Sequence, residues 1–263
     1  MKKIKMKKTD AETSKFLTEH EVVLEEPWVR LHTGKELEYW DKEEEIRWNQ
    51  THRQREKYQF YFKAFDFLTD NKITGDYFEF GCHRGRTFRM ALTEARHHNL
   101  TDMDFLAFDS FAGLPANLGG HGIGEKWKGG ALVTSENQFM DLMRQHGLYL
   151  DKIKTYPGFY DQSLNEVLIH QLQREQHQAA FICVDCDLYE SAEPVFGFIE
   201  NFLQEGTVIY IDDYWTGYHG NPNKGVSQAF AEYRVQSGWK FAEYLDISWF
   251  GKSFVAYQSQ DLK

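Results

Sequence analysis

The chemistry-bearing residues of this chain gather in three short stretches. Asp185 and Asp187 lie in Val184-Asp185-Cys186-Asp187-Leu188-Tyr189-Glu190-Ser191. Asp212 and Asp213 lie in Tyr210-Ile211-Asp212-Asp213-Tyr214-Trp215. The third stretch, residues 75–92, carries Glu79, Gly81 and Gly85 in a Glu-x-Gly-x-x-x-Gly pattern. Each acidic pair follows an apolar run that reads as a strand, Ala179 to Val184 and Thr207 to Ile211. If those strands are neighbours, four carboxylates crowd one small volume. They repel, and burying them unpaired is costly. A divalent cation with oxygen ligands, such as Mg²⁺, is the simplest remedy. Helix capping or turn formation accounts for Asp187 and Asp213 singly, but not comfortably for both clusters at once. In the third stretch, Gly81 and Gly85 let the chain turn and let backbone approach a ligand. A strand, a glycine turn and a helix in succession aim backbone N–H groups at a small molecule. No glycine stands at position 83, so the dinucleotide fingerprint Gly-x-Gly-x-x-Gly is not met.

A second strand, residues 104–109, ends in Asp109, followed by Ser110, Phe111, Ala112, Gly113, Leu114 and Pro115. A carboxylate there can accept both ribose hydroxyls of an adenosine. Asp-Ser is also good turn chemistry, and a turn-capping role stands beside the ribose role.

These residues need a frame that brings strand ends together. Strands are expected at 76–80, 104–109, 152–156, 179–184 and 207–211. Helices alternate with them at about 86–98, 135–147, 161–176, 190–204 and 225–237. Two last strands, 239–244 and 253–257, pair as a hairpin near Gly251. This alternation predicts an α/β fold, a doubly wound, mostly parallel seven-stranded sheet with a helical N-terminal extension. In such sheets ligands sit beyond the carboxyl ends of the strands. Two domains are expected: residues 1–70, partly helical and serving substrate or oligomer contacts, and residues 71–263, the ligand-binding domain. Within 36–70, Trp40, Ile46, Tyr58, Phe62, Phe65 and Leu68 offer apolar faces, with Glu43 to Glu45 and Lys57 as polar positions.

Composition narrows the function classes. The chain has 263 residues, 41% hydrophobic and 16% aromatic, enough for a sizeable core. Its net charge of −10 argues against nucleic acid as a partner. Cys82, Cys183 and Cys186 show no disulfide spacing and fit a reducing compartment, so a cytoplasmic location is expected. The C-x-x-C spacing of Cys183 and Cys186 has no second pair and reads as part of a strand. Lys2, Lys3, Lys5, Lys7 and Lys8 are followed by no apolar run, so neither a signal peptide nor a transmembrane segment is expected.

Taken together, the motifs resemble the macrocin O-methyltransferase (TylF-like) family, class I enzymes that use S-adenosylmethionine and Mg²⁺ to methylate sugar hydroxyls. The resemblance rests on Glu79-Phe80-Gly81 with Gly85 and on Phe108-Asp109-Ser110-Phe111 with Gly113-Leu114-Pro115. It rests equally on Asp185-x-Asp187-Leu188-Tyr189-x-Ser191, on Asp212-Asp213-Tyr214, and on Gly225 to Phe230. It implies that Asp185, Asp212 and Asp213 ligate Mg²⁺ and that Asp187 is the general base. It implies that Glu79, Gly81 and Gly85 hold the methionine part of the cofactor, with Cys82 in the same turn a further cofactor candidate. His83 and Arg84 depart from the small or apolar residues usual at this turn, and Arg84 either pairs with the methionine carboxylate or faces solvent. Asp109 would then serve the ribose, with Ser110 beside it a further cofactor candidate, and Gly158 and Phe159 would lie near the adenine. Ser135 and Trp127 are weaker candidates on the mobile side, and the roles of His83, His121 and His219 are open.

The chemistry follows from the residues as well. A sugar hydroxyl is a very weak acid, Mg²⁺ stabilises its developing charge, and a neighbouring carboxylate takes the proton. The expected acceptor is a small sugar-containing or vicinal-diol molecule, and a homo-oligomer is expected. Glycine-rich residues 116–130 and aromatic residues 215–224 are expected to close over the site. Three other readings compete: a catechol or phenol O-methyltransferase, a nicotinamide-dependent oxidoreductase, and a non-catalytic nucleoside-binding module. The absent middle glycine counts against the second, and the intact carboxylate cluster counts against both it and the third.

Overall fold

The computed structural model describes residues 34–115 and 129–258. Among the described residues two helices come first, α1 (Gly34–Leu37) and α2 (Lys42–Asp70). The expected alternation follows: β1 (Asp76–Phe80), α3 (Arg86–His97), β2 (Phe105–Asp109), α4 (Glu136–His146), β3 (Ile153–Pro157), α5 (Tyr160–Ser163), α6 (Glu166–Arg174), β4 (Ala179–Val184), α7 (Tyr189–Ile199), β5 (Val208–Ile211) and α8 (Gly225–Gln236). The chain closes with β6 (Lys240–Ile247) and β7 (Gly251–Tyr257).

The seven strands form one sheet in the order β3-β2-β1-β4-β5-β7-β6. Strands β1 to β5 are parallel, and β7 runs antiparallel to both β5 and β6. The winding reverses between β1 and β4. That switch point opens the crevice in which α/β sheets hold ligands.

Side-chain alternation along the strands builds two cores, one on each face. Phe78, Phe80, Leu106, Phe108, Ile182, Val184, Ile209 and Ile211 face α7 and α8. Tyr77, Phe105, Ala107, Phe181, Cys183 and Tyr210 face the other way, toward Phe60, Tyr61 and Phe65 of α2 and Phe88 of α3. Both faces of the central strands are covered, which is why these strands read as continuous apolar runs. Cys183 and Cys186 lie in opposite cores, so the C-x-x-C spacing builds no shared site.

Local chemistry sets the helix ends. Ser135 and Gln138 form a reciprocal capping box that starts α4, and Gly147 ends it in the left-handed conformation. Ser135, a weak candidate for the cofactor, thus has a structural duty. The helix expected over 161–176 is two helices. The Asn165 side chain accepts a hydrogen bond from the Leu168 N–H at 3.1 Å and caps α6, which interrupts the run.

The chain divides into two compact units, Met1–His52 and Arg53–Lys263. In the described part of the first, Lys42 pairs with Glu45 and Arg47 with Glu43, each at 2.9 Å. Trp40 meets Trp48 edge-on. The second unit holds the sheet and the last turns of α2. There Phe60, Tyr61, Ala64, Phe65, Leu68 and also Lys57 are buried, whereas Tyr58 and Phe62 are exposed. The apolar face of α2 is therefore rotated from the one the aromatic pattern suggests. Phe181 and Tyr210, the rings that α2 meets on the sheet, select it. Among the described residues no helix is long and apolar enough to cross a membrane.

Candidate active site

The parallel ladder runs one residue past the strand ends. Gly81 N–H donates to Phe108 O at 3.0 Å, and Asp185 N–H to Phe80 O at 2.8 Å. Asp212 N–H donates to Val184 O at 3.0 Å, and Gly158 N–H to Asp109 O at 3.0 Å. Gly158, Asp109, Gly81, Asp185 and Asp212 consequently form one row along the carboxyl rim. The row straddles the switch point, so most residues singled out from the sequence share one place.

On the β1 side lies the glycine turn. Gly81 has φ +90°, and a Cβ there would stand 1.9 Å from the Asp185 carbonyl oxygen. Gly85 has φ +61°, and a Cβ would meet the Met143 methyl at 2.5 Å. Only glycine fits either position. Asp109 holds the turn from the side. Its Oδ2 accepts from the N–H groups of Cys82 and His83 at 2.8 and 2.9 Å, and its Oδ1 from the Phe111 N–H at 2.8 Å. The Ser110 hydroxyl donates to Gly113 O at 2.7 Å and closes the next turn. A carboxylate has about four lone-pair sites, so Asp109 retains capacity for a ligand hydroxyl.

Glu79 lies beneath this turn and is fully buried. Thr87 at the start of α3 donates to its Oε1 at 2.8 Å, and Tyr77 donates to its Oε2. The Tyr61 and Tyr77 hydroxyls are 2.8 Å apart, which extends the buried network into α2. Burial pushes the Glu79 carboxyl up to about 8, against the opposing pull of the Tyr77 and Thr87 hydrogen bonds. Arg84 is exposed on the turn, Cys82 is buried, Gly158 is half-buried, and Phe159 is exposed just past β3. His83, whose role the sequence leaves open, ties the turn to the segment before α4. Its Nδ1 lies 2.8 Å from Leu132 O and 3.0 Å from the Thr134 hydroxyl.

On the β4 and β5 side, ligand oxygens of Asp185, Asp212 and Asp213 all lie within 4.8 Å of one another. Asp187 is not in that group. It is half-buried beside it, with a left-handed backbone at φ 60°. His83 and Phe111, in the loops after β1 and β2, are also left-handed, at φ 41° and 51°. Non-glycine residues rarely take this conformation, and such strain collects at functional sites.

Two cations from α2, which the sequence reading did not single out, complete the cluster. Lys57 Nζ lies 2.8 Å from Asp212 Oδ2 and 3.3 Å from Asp185 Oδ2. Arg53, one helical turn earlier, places its guanidinium 3.7 Å from Asp212 Oδ2 and 4.0 Å from Asp213 Oδ1. The Tyr210 hydroxyl donates to the other oxygen of Asp212. Burial, reinforced by the Asp212 charge, pushes the Asp185 carboxyl well up. Burial acts on Asp212 in the same sense, but Lys57, the Tyr210 hydroxyl and Arg53 together more than reverse it and hold that carboxyl down. Arg53 and Lys57 stand four residues apart on the face that carries Phe60, Tyr61 and Ala64. Two cations on a buried helical face need carboxylate partners, and that pattern was the available signal.

Beyond the triad a cleft of about 1240 Å³ is lined by Trp215, Tyr218, Trp249, His219, Lys224, Lys252 and Asp246, among others. Trp215 N–H donates to Phe250 O at 2.9 Å, which joins the loop after β5 to the β6–β7 turn. The Arg53 guanidinium lies 4.3 Å over the Phe250 ring and 5.5 Å from the Trp249 ring, so it borders both triad and cleft. Of the other expected loop, Gly130 N–H donates to Leu114 O and Leu114 N–H to Ala131 O, each at 2.9 Å. His121, Trp127 and the glycines between them lie outside the described residues. A second acidic group, Asp76, Asp104 and His177, sits at the amino ends of the strands. There Lys154 Nζ is 3.1 Å from Asp104 Oδ2, and the group reads as a structural knot far from the rim.

The strand order, the glycine turn after β1 and the acid after β2 define a class I, Rossmann-like methyltransferase fold. The family model for macrocin O-methyltransferase (TylF) matches residues 19–254, and the chain belongs to that family. It is 26% identical over 150 residues to the demethyldecarbamoylnovobiocin O-methyltransferase of Streptomyces niveus. The aligned stretch covers 55% of this chain and 54% of that one, about half the length of the relative. Among solved structures, the O-methyltransferase NovP superposes with a TM-score of 0.62 at 19% identity, over 78% of this chain and 80% of its own. The calicheamicin methyltransferase CalS11 superposes with a TM-score of 0.60 at 14% identity, over 95% and 94%.

Proposed function

We propose that this protein transfers a methyl group from S-adenosylmethionine to a hydroxyl of a sugar-containing acceptor, with Mg²⁺ at Asp185, Asp212 and Asp213. The observation that carries this reading is the rim row, with a glycine turn and Asp109 on one side of the switch point and a carboxylate triad on the other. The residues fit both groups. The turn leaves backbone bare where a Cβ would collide, and the triad offers the all-oxygen donor set that Mg²⁺ takes. When bound, S-adenosylmethionine supplies a methyl group on a positively charged sulfur. Mg²⁺ supplies charge that favours the ionised form of a hydroxyl.

The chain's own residues do the rest. Gly81, Cys82, Arg84 and Gly85 hold the methionine part, with the Arg84 guanidinium suited to its carboxylate. Glu79 supports the turn from below through Thr87. Asp109 and Ser110 take the ribose side, and Gly158 and Phe159 the adenine side. Asp187 accepts the proton of the acceptor hydroxyl at its carboxylate. Trp215, Tyr218 and Trp249 offer rings against which a sugar can lie, and positioning of the two reactants supplies much of the rate. The sugar class is also supported by relatives. One is named a demethyldecarbamoylnovobiocin O-methyltransferase, and the structural neighbour CalS11 is described as a TDP-rhamnose 3′-O-methyltransferase.

Calorimetric titration with S-adenosylhomocysteine, followed by an acceptor screen of nucleotide sugars, glycosides and catechols with Mg²⁺, tests the reading. Micromolar cofactor binding and transfer to a sugar are expected. Asp185→Asn and Asp213→Asn should lower the transfer rate by about a hundredfold or more while leaving cofactor binding intact. Full activity of these variants in EDTA would overturn the metal assignment. Absence of cofactor binding would overturn the methyltransferase assignment, and transfer to catechols alone would replace the sugar class.

A further inference from the structure

We infer that Lys57 is the resident counter-cation of the carboxylate triad, and that a divalent ion must displace its ammonium group to bind. This rests on the reading of Asp185, Asp212 and Asp213 as the cation site. Lys57 Nζ touches Asp212 Oδ2 at 2.8 Å and Asp185 Oδ2 at 3.3 Å, and so occupies carboxylate oxygens of two of the three triad residues. The side chain is buried, with only 7% of its surface exposed. Its place is fixed by the helix: Phe60, Tyr61, Ala64 and Phe65 anchor the following turns of α2 in the core. The ammonium group therefore sits in the cluster by construction and not as a solvated side chain swinging past.

Charge counting points the same way. Three carboxylates facing Lys57 and Arg53 carry one net negative charge when all are ionised. One divalent cation in place of Lys57, with Arg53 left where it is, would bring the cluster to zero net charge. Adding the cation on top of both side chains would leave the cluster positive, and like charges at such distances in a poorly solvated site repel strongly. Lys57 thus holds the metal-free triad together and lowers its affinity for the ion. Arg53 is farther away, at 3.7 and 4.0 Å, and lies over the Phe250 ring, so it can remain while Lys57 moves.

The test uses Mn²⁺ as the probe, with free ion followed by electron paramagnetic resonance in the intact chain. Lys57→Gln should bind Mn²⁺ about tenfold tighter or more than the wild type, and Lys57→Arg should keep the weak wild-type affinity. Mn²⁺ should also raise the melting temperature of Lys57→Gln more than that of the wild type. Equal affinity in all three proteins, or weaker binding by Lys57→Gln, would overturn the inference and leave the metal site standing. No Mn²⁺ binding by any of them would overturn the metal reading itself. A second measurement needs no variant. An amine-reactive reagent should leave Lys57 of the metal-free wild type unmodified and label it several-fold more at saturating Mg²⁺. Unchanged protection at saturation would overturn the inference.

Discussion

Replacing Glu79 by glutamine tests the buried network that supports the glycine turn. The carboxyl is fully buried and rises from its ordinary 4.5 to about 8 because burial disfavours the ionised form. A group raised in the folded state contributes stability that is complete below its unfolded value and is lost as pH climbs through its folded value. For Glu79 that window runs from about pH 4.5 to about pH 8. At about 1.4 kcal/mol per pH unit, the full loss is roughly 5 kcal/mol, and relaxation of the site brings the expected range to roughly 3–5 kcal/mol. In the neutral acid the proton lies on Oε2 and is given to Tyr77, reversing the hydrogen bond that the ionised form accepts, and the glutamine side chain mimics that form. Its carbonyl can accept from Thr87, and its amide can donate to Tyr77 while Tyr77 turns its own proton toward Tyr61. The stability of Glu79→Gln minus that of the wild type should therefore climb with pH by that amount between pH 5 and pH 8.5. Other titrating groups cancel in the difference. Denaturant unfolding of both proteins across this range measures it. A flat difference, or one that falls with pH, would show that Glu79 is ionised in the native protein and would refute the argument.

Two further substitutions probe the frame. Gly81→Ala drives a Cβ into the Asp185 carbonyl and should cost about 3 kcal/mol or more while abolishing S-adenosylhomocysteine binding; wild-type melting and binding would remove the steric argument. At the opposite end of the sheet, His177 Nδ1 lies 2.7 Å from Asp76 Oδ2. Burial pulls the imidazolium down, but the Asp76 carboxylate more than reverses this, and the net shift is upward. Lys154 Nζ, 2.9 Å from the other ring nitrogen, opposes the rise, and Glu175 Oε2 at 3.2 Å from that nitrogen offsets it. The pair should add roughly 1–3 kcal/mol below pH 6.5, and this should be lost as pH rises past the elevated native value. His177→Gln should thus be more damaging at pH 5.5 than at pH 8.5, and equal losses by denaturant unfolding would rule the ion pair out.

The alternation of apolar strands and amphipathic helices was legible because each segment carries its own period and end signals. The rim residues were legible because the glycine turn and the acidic pairs abut those strands. What escaped was set by tertiary contact. Lys57 reads as a solvated position among polar neighbours, and only the sheet face that α2 meets turns it inward. The same contact exposes Tyr58 and Phe62 and buries Phe60 and Tyr61. Glu79 reads as a ligand-facing acid, yet strand alternation puts it on the face of Tyr77, beneath the turn. The division of the 161–176 helix escaped because Asn165 is tolerable inside a helix and becomes a stop only when its side chain caps the next one.

On the proposed function, the rim would hold methyl donor and metal in register without a dedicated linker. Gly81 and Asp185 touch backbone to backbone, since a Cβ on Gly81 would stand 1.9 Å from the Asp185 carbonyl oxygen. Their N–H groups are held by Phe108 and Phe80 in the same ladder. The offset between the cofactor turn and the first carboxylate is therefore fixed by sheet geometry, where strands lie about 4.8 Å apart, and not by a rotamer. Asp212 takes its place from the next rung, through its N–H to Val184 O. In-line transfer demands that donor and acceptor be positioned to within a fraction of an ångström. A row of peptide groups meets that demand better than side chains could, and leaves the acidic side chains to carry charge alone.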